Sequence, residues 1–141
     1  MSQPKRVTGI GGIFFKCQDP TAQREWYNRH LGLNAEQYGA TFEWRHADMP
    51  QKKGYTLWST FKADTSYFGP NGKEFMVNFR VEDLERLLAQ LKEEGIEQVG
   101  ETQVHEYGKF AHITDPEGNR IELWEAYDEE YGDMVNGEEN K

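Results

Sequence analysis

The sequence is poor in cysteine, in basic side chains and in long apolar runs, and each shortage excludes a class of protein. Cys17 is the one cysteine among 141 residues, so the chain has no internal disulfide and nothing indicates an oxidising compartment. Lys and Arg number 16 against 25 Asp and Glu, which argues against nucleic acid or an anionic membrane as a partner. Apolar runs fall far short of the roughly 20 residues of a membrane span, and the polar start is unlike a signal peptide. We therefore expect a cytoplasmic protein without a membrane or nucleic-acid partner.

Aromatic residues, in contrast, are abundant. They make up 13% of the chain and are spread along it, and 141 residues suit a single domain with an ordinary core. The excess of acid is concentrated near the C-terminal end, where six acids and one base lie between Ala126 and Lys141. That segment has no apolar periodicity, so we expect residues 127–141 to form a solvated acidic tail.

The first half of the chain, about residues 8–62, shows a clear order of elements. The apolar run Ile10–Cys17 predicts a buried strand, and Asp19 followed by Pro20 predicts the start of a helix that ends at Gly32. Three strand-like stretches follow, over residues 35–38, 40–45 and 55–61, and a polar turn over 48–54 separates the last two.

The second half, about residues 74–126, repeats this order. A strand over 74–81 precedes a helix capped by Asp83 and ended by Gly95, and strands over 98–107, 109–114 and 120–125 follow. Asp19 and Asp83 lie 64 residues apart, and residues 63–73 remain as a linker. The order of strand, helix and three strands therefore occurs twice, which predicts an α+β protein of two βαβββ modules around a shared cavity.

Strand alternation places His112 and Glu122 opposite each other on the closing hairpin. Each lies five positions from Glu117, so the two are predicted cross-strand neighbours on one face. By the same parity that face carries an aromatic and polar set of candidate ligand-binding residues: Phe14, Lys16, Met76, Asn78, Arg80, Phe110, Arg120 and Trp124. Such a mixture is typical of a concave ligand site. We expect the bases Lys16, Arg80 and Arg120 at its rim, since they lie toward strand ends.

The His112–Glu122 pair has two interpretations. A carboxylate beside an imidazole fixes the tautomer of the ring, which suits general acid–base catalysis and makes the two residues candidate catalytic groups. The alternative is a polar contact that satisfies two half-buried groups and does nothing more. The sequence leaves both open.

Three segments carry a resemblance to a known family. They are the hairpin DPEGNRIELWE (Asp115–Glu125), the first strand and helix with Asp19, Trp26-Tyr27 and Leu31-Gly32-Leu33, and the segment Val77–Leu91. Together with the repeated order of elements, they resemble the vicinal oxygen chelate superfamily, which includes glyoxalase I, extradiol dioxygenases and the fosfomycin and bleomycin resistance proteins. The resemblance covers about residues 8–126 and implies paired βαβββ modules, open barrel-like sheets and a homodimer.

The resemblance also implies places for the ligands of a divalent metal ion. They fall on Gly12, on Met76, near Trp58 or Ser59, and on Glu122. Only Glu122 is a usual ligand, whereas a divalent ion needs at least about three protein donors to bind well. We therefore expect no cofactor and no standard metal site, with Glu122 as the retained ligand if a divalent ion does bind.

Functions from different classes remain open at this point. The first is a protein similar to the bleomycin resistance proteins, which binds a small organic molecule in an aromatic and polar cavity. The second is an enzyme, a lyase, isomerase or dioxygenase, that acts on a small oxygenated metabolite through Glu122 and His112 or a recruited metal. The third is a structural or regulatory dimer with a vestigial cavity. The sequence names neither the ligand nor the way in which the modules pair, within one chain or between two.

Overall fold

The computed structural model describes residues 6–139 and confirms the predicted α+β class. None of the helices in this part of the chain is both long and apolar enough to cross a membrane. The elements in chain order are β1 (Val7–Cys17), α1 (Pro20–Leu31), β2 (Ala40–His46), β3 (Met49–Lys62), β4 (Phe75–Val81), α2 (Leu84–Glu93), β5 (Val99–His105), β6 (Gly108–Thr114), β7 (Arg120–Ala126) and α3 (Asp128–Glu139).

These strands form one open sheet in the order β2-β3-β1-β4-β7-β6-β5. The two modules join at its centre, where β1 pairs with β4 in antiparallel orientation and Gly12 lies opposite Asn78. Within each module the first strand pairs in parallel with the last, β1 with β3 and β4 with β7. The modules therefore pair within one chain, a point that the sequence left open.

Both predicted helices begin and end where the capping residues indicate. Asp19 accepts a 3.0 Å hydrogen bond from the first turn of α1, and Gly32 ends that helix with φ 72°. Asp83 accepts a 3.2 Å bond from the first turn of α2, and Gly95 follows that helix with φ 86°. A positive φ of this size carries no steric penalty only in glycine, so these two glycines end the helices.

We call the side of the sheet that α1 and α2 cover its convex side, and the side that carries α3 its concave face. An apolar core lies on the convex side, beneath α2. It consists of Val81, Leu84, Leu87, Leu91, Ala111 and Leu123, with Ile113 and Ile121 packed against it. This confirms the predicted helix-facing side of β6 and β7. Each large side chain fully buried there stabilises the fold by about 1.5–3 kcal/mol, so this layer fixes which side of the hairpin faces away from the helices.

The strand predicted over residues 35–38 is wrong. Only an isolated bridge between Glu36 and Gly39 forms there, with backbone hydrogen bonds of 2.9 and 3.0 Å across a tight turn. The Asn28 side chain also takes both backbone polar groups of Ala35, at 2.8 and 2.9 Å. Because these groups are already satisfied, the segment adds no strand to the sheet, and the first module is βαββ.

The polar turn predicted over residues 48–54 is also wrong, because β3 already begins at Met49. Lys53 and Gly54 pair with Arg45 and Trp44 of β2, so the hairpin extends through the polar segment. Gly54 lies under the Trp44 ring, where an added Cβ would come within 2.3 Å of a ring carbon. The close approach of the indole explains the glycine, which the sequence suggested as a turn former.

The acidic tail is a helix over most of its length, not a solvated extension. In α3, Tyr131 is only 6% exposed and its hydroxyl lies 3.0 Å from the Thr41 hydroxyl. Its ring packs against Tyr55 and Trp124 on the concave side of the sheet. Burial of this one aromatic residue thus anchors the helix to the sheet. No periodic pattern in the sequence predicts the helix. The predicted tail residues 140 and 141 lie outside the described residues.

Candidate functional site

Glu122 stands at the centre of a polar cluster on the concave face. It lies in β7, opposite Asn78 of β4 and opposite His112 of β6, and is 2% exposed. The predicted cross-strand arrangement of His112 and Glu122 is therefore present, as is the predicted face that Asn78 shares with them. A buried carboxylate needs hydrogen-bond donors to replace water, and the neighbouring strands supply them.

Three side chains donate to this carboxylate. Asn78 Nδ2 lies 2.7 Å from Glu122 Oε1, and His112 Nε2 lies 2.9 Å from Oε2. The Tyr67 hydroxyl also donates to Oε2. The carboxylate is thus satisfied from three elements, namely β4, β6 and the segment that connects β3 to β4.

Arg120 determines the tautomer of His112. Its Nη1 lies 3.3 Å from His112 Nδ1, and a guanidinium can only donate, so Nδ1 is the acceptor. The ring proton then sits on Nε2, which donates to Glu122. Arg120, His112 and Glu122 form a directed chain of hydrogen bonds that runs from the exposed side of the cluster to its buried centre.

Tyr67 covers this cluster and was not among the residues predicted from the sequence. It is 37% exposed, its ring stacks on Phe61 with the centroids 5.7 Å apart, and it makes a T-shaped contact with the His112 ring at a centroid distance of 5.1 Å. Burial first, and then the charge of Glu122, raise the pKa of the Tyr67 phenol, which keeps the hydroxyl protonated as a donor. Its 64-residue spacing from Tyr131, the same as between the two capping aspartates, was the signal available in the sequence.

Below the cluster, the concave face is filled with apolar side chains. Phe14 and Met76 are buried under Phe68 of the connecting segment, with Leu57 and Phe61 packed against them. The Lys16 ammonium lies 5.7 Å from the Phe68 ring centroid. Three of the predicted ligand-binding residues, Phe14, Lys16 and Met76, thus meet Phe68 and are not brought to the Glu122 carboxylate. Their role toward a ligand stays a prediction.

Above the cluster, Arg80 is buried, although its place near a strand end suggested the rim. It is 3% exposed, and its guanidinium lies 4.9 Å from the Trp44 ring centroid and 5.3 Å from that of Trp124. Its Nη2 also donates to Asp128 of α3. Two indole faces and a carboxylate compensate the buried charge, which the sequence could not show because α3 was not foreseen. Phe110 stacks on Trp124 at 5.4 Å, so these predicted residues do share one layer.

Gly11 allows the middle of the concave face to close. A Cβ at this position would lie 2.1 Å from Asn78 Oδ1 and 3.0 Å from a carbon of the Trp124 ring. Only a residue without a side chain permits Asn78 to reach Glu122 while Trp124 packs above it. The glycine therefore belongs to the site, because the close approach of Asn78 and Trp124 leaves no room for a side chain.

The residues present do not fit a divalent metal ion. Gly12 has no donor atom, and Met76 is buried among phenylalanines. Trp58 faces away from the cluster toward Tyr27 of α1, and Ser59, which is buried, offers only a hydroxyl. Both oxygens of Glu122 are taken by protein donors. Among the side chains that the structure describes, those of residues 6–135, no group of three His, Cys, Asp or Glu is placed to hold an ion. A divalent ion would thus find fewer than the three protein donors it needs here.

An open sheet built from two α+β modules, with a buried polar cluster on its concave face, defines the class of protein. The family described as Glyoxalase/Bleomycin resistance protein/Dioxygenase superfamily matches residues 9–123, and the chain belongs to that superfamily. This confirms the resemblance found in the sequence. Among curated proteins, none matches the chain.

Solved structures of methylmalonyl-CoA epimerases share the fold. The enzyme from Mycobacterium tuberculosis is 20% identical, with a TM-score of 0.59, over 94% of this chain and 97% of that one. A Streptomyces coelicolor variant in complex with 2-nitronate-propionyl-CoA is 16% identical, with a TM-score of 0.64, over 86% of this chain and 99% of that one. An epimerase in complex with methylmalonyl-CoA and NH4+ is 16% identical, with a TM-score of 0.61, over 86% and 96%. At these identities the likeness shows the fold alone.

Proposed function

We propose that this chain binds a small oxygenated organic molecule at Glu122, and that a ligand hydroxyl takes the place of the Tyr67 phenol. One observation carries the proposal. A carboxylate only 2% exposed depends for one of its hydrogen bonds on Tyr67, a side chain that is itself 37% exposed and lies on a connecting segment. Rotation of Tyr67 alone would open the carboxylate to a ligand and leave the sheet unchanged.

The surroundings of Tyr67 indicate the character of the ligand. Phe61 offers a ring face for stacking, Glu122 offers an acceptor, and His112 closes one side with its edge. A flat hydroxylated or enolic compound meets all three groups. Membership of the superfamily and the organic ligands in the epimerase complexes support the same broad class.

Phenol is the simplest probe of this slot, because it is the side chain of Tyr67 without its tether. We expect phenol to raise the Tm of the Tyr67→Ala variant and to have no such effect on Tyr67→Ala/Glu122→Gln. Tyr38→Ala, at an exposed tyrosine, serves as the matched control and should not respond. Equal stabilisation of both Tyr67→Ala variants would overturn the proposal, since it would show apolar binding without the carboxylate.

A second function is favoured by the His112–Glu122 hydrogen bond of 2.9 Å. In a proton-transfer enzyme, Glu122 would remove a proton from a carbon beside a carbonyl group and return a proton to the same carbon. The orientation of His112 by Arg120 would keep Nε2–H directed at the carboxylate through both steps. The residues present do not fit a metal, so the scheme relies on Glu122 and His112 alone.

Deuterium exchange separates this second function from simple binding. The chain is incubated with methylmalonyl-CoA in D2O, and the substrate is followed by mass spectrometry. Proton transfer predicts incorporation of one deuteron, lost in Glu122→Gln while the fold is retained. A binding protein predicts, with either chain, only the slow spontaneous exchange seen without protein. A gain above that rate that survives Glu122→Gln would exclude Glu122 as the base.

We also propose that the chain forms a homodimer through the convex side of the sheet. Trp26 of α1 and Phe75 of β4 are exposed there, and α1 has no buried residue. Phe75 stacks on Phe15, so its ring continues the apolar surface beneath α1. Sedimentation velocity should give twice the chain mass, and Phe75→Glu should give a monomer, whereas Tyr38→Glu should not. A wild-type monomer would overturn this proposal.

A further inference from the structure

Arg80 and its two tryptophans form a second place on the concave face that is built for an anion. Arg80 is 3% exposed, its guanidinium lies between Trp44 and Trp124, and its Nη1 donates to the Tyr55 carbonyl at 3.3 Å. Within the described part of the chain, Arg80 Nε is buried and has no hydrogen-bond partner. A buried cation of this kind requires a negative partner. The Nε–H of Arg80 remains available for a further acceptor.

The negative partner comes from α3, together with an aromatic ring. Asp128 accepts from Arg80 Nη2, and His46 Nε2 lies 3.4 Å from the same carboxylate, whose side chain is 7% exposed. Tyr131 lies three residues further on the same side of the helix, with its ring 5.1 Å from that of Tyr55. The helix thus presents a carboxylate and an aromatic ring to the sheet at once.

α3 is weakly built for a helix that occupies such a place. Its last turn contains no base to complement the helix dipole, and Gly132 lies inside it. A glycine in a helix costs about 1 kcal/mol relative to alanine. Here it is required, because a Cβ would lie 2.4 Å from the Tyr55 hydroxyl. Gly132 therefore lowers the intrinsic stability of the helix but allows it to pack closely against the sheet.

A cleft runs alongside this helix and reaches Asp128 from outside. Its volume is about 640 Å3, and it lies between β3 and α3. Tyr55, Asp128 and Gly132 form part of its wall, and Lys52 and Lys53 stand on the β3 side. Two lysines at the entrance favour the approach of an anion, although the acids of α3 oppose it while the helix is in place.

We propose that this place is a second ligand site, for a small aromatic carboxylate, and that α3 fills it when no ligand is present. In the ligand-free protein, Asp128 occupies the position of the ligand carboxylate on Arg80. Tyr131 occupies the position of the ligand ring beside Tyr55 and Trp124. An incoming carboxylate replaces Asp128 on Arg80, so the cation is not left unpaired, and it can use the free Nε as well. A neutral ring cannot make this exchange. Arg80 and Trp124 lie two residues further along β4 and β7 than Asn78 and Glu122. The second site does not depend on the function proposed for Glu122.

Hydrogen exchange with phenylacetate as the probe tests the proposal on the intact chain. A ligand normally slows amide exchange where it binds. If phenylacetate displaces α3, the amides of residues 128–139 should exchange faster in its presence, while those of β4 and β7 should not. 2-Phenylethanol, the same ring without the carboxylate, should leave α3 unchanged. Slower or unchanged exchange in α3 at saturating phenylacetate would overturn the proposal.

Variants provide an independent measurement by calorimetry. Asp128→Ala removes the competing carboxylate and should tighten phenylacetate binding by about tenfold or more, since affinity scales with the fraction of open helix. Glu97→Gln, at an exposed acid outside the cleft, is the matched control and should have no such effect. Glu122→Gln should also leave phenylacetate binding unchanged, which separates this site from the cluster at Glu122. Equal affinity for phenylacetate and 2-phenylethanol in Asp128→Ala would show a merely apolar slot and overturn the assignment.

Discussion

Tyr67 and Tyr131 occupy equivalent places in the two halves of the chain. They lie 64 residues apart, the spacing that also separates the capping residues Asp19 and Asp83. Each follows the last strand of its module and returns over the concave face, Tyr67 to Glu122 and Tyr131 to an aromatic cluster. The internal repeat therefore extends beyond strands and helices to the side chains that cover the sheet.

Replacement of Tyr67 by Phe tests the hydrogen bond at the centre of the candidate site. The ring stays on Phe61, but Glu122 loses one of its three donors, so we expect the free energy of unfolding to fall by about 1.5–3 kcal/mol. Urea unfolding measures this value. Tyr38→Phe, at a side chain 72% exposed, is the matched control and should change stability by less than about 0.5 kcal/mol. If Tyr67→Phe lowered the free energy of unfolding no more than the control does, the hydrogen bond from Tyr67 to Glu122 would not contribute to stability.

High pH should destabilise the fold through its covered tyrosines. Burial is the main cause that raises the pKa of Tyr55, Tyr67 and Tyr131 above the ordinary value of about 10. Above pH 10 the unfolded chain loses these protons while the folded chain keeps them, so the stability present below that pH falls as the pH rises. Absorbance at 295 nm should show part of the seven tyrosines ionising only as the circular dichroism is lost. Ionisation of all seven tyrosines in a single transition, while the circular dichroism is retained, would contradict this prediction.

Gly11→Ala should destabilise the protein far more than Gly9→Ala in the same strand. A Cβ at Gly11 would meet Asn78 Oδ1 at 2.1 Å, whereas at Gly9 the nearest atom belongs to Trp44 at 3.9 Å. Overpacking of this kind costs about 1–3 kcal/mol, and an ordinary contact costs little. Thermal unfolding of the two variants gives the comparison. Similar Tm values for both would show that Asn78 moves away without loss.

Divalent metal should not stabilise this protein. A site at saturation adds about 2.7 kcal/mol at a hundredfold excess over its Kd, which would raise Tm by roughly 5 °C or more. We expect 1 mM Co2+ to give no such rise, and elemental analysis of protein purified without added metal to find no stoichiometric ion. The informative exception would be iron, nickel, manganese or zinc that is present in the wild type and lost in Glu122→Ala.

Much of the fold could be predicted because its signals are local. Asp19 and Asp83 mark helix starts by their own hydrogen bonds, and strand parity places His112 opposite Glu122 without knowledge of the rest. The strand over residues 35–38 could not be excluded in this way, because the Asn28 side chain that satisfies Ala35 is seven residues away and carries no pattern.

The strand residues of the candidate site could be predicted, but its contacts with the connecting segments could not, for a related reason. Residues on strands share a face by parity, so the concave set was accessible. Tyr67 reaches Glu122 across 55 residues and Asp128 reaches Arg80 across 48, and neither lies in a periodic segment. Such contacts depend on the path of a connection in three dimensions, and only the repeat spacing of Tyr67 and Tyr131 hinted at one of them.

The parallel pairing inside each module also governs how quickly the chain reaches its native state. Gly12 lies beside Leu57 and Asn78 beside Glu122, so the two pairings join residues 45 and 44 positions apart. Entropy lost in closing such loops precedes any gain from the contacts, which places refolding in the range of milliseconds to seconds. The central seam, where Gly12 meets Asn78, joins residues 66 positions apart and closes a longer loop, so we expect it to form last. In stopped-flow refolding, a change at this seam should therefore alter the late phase and leave the early one intact.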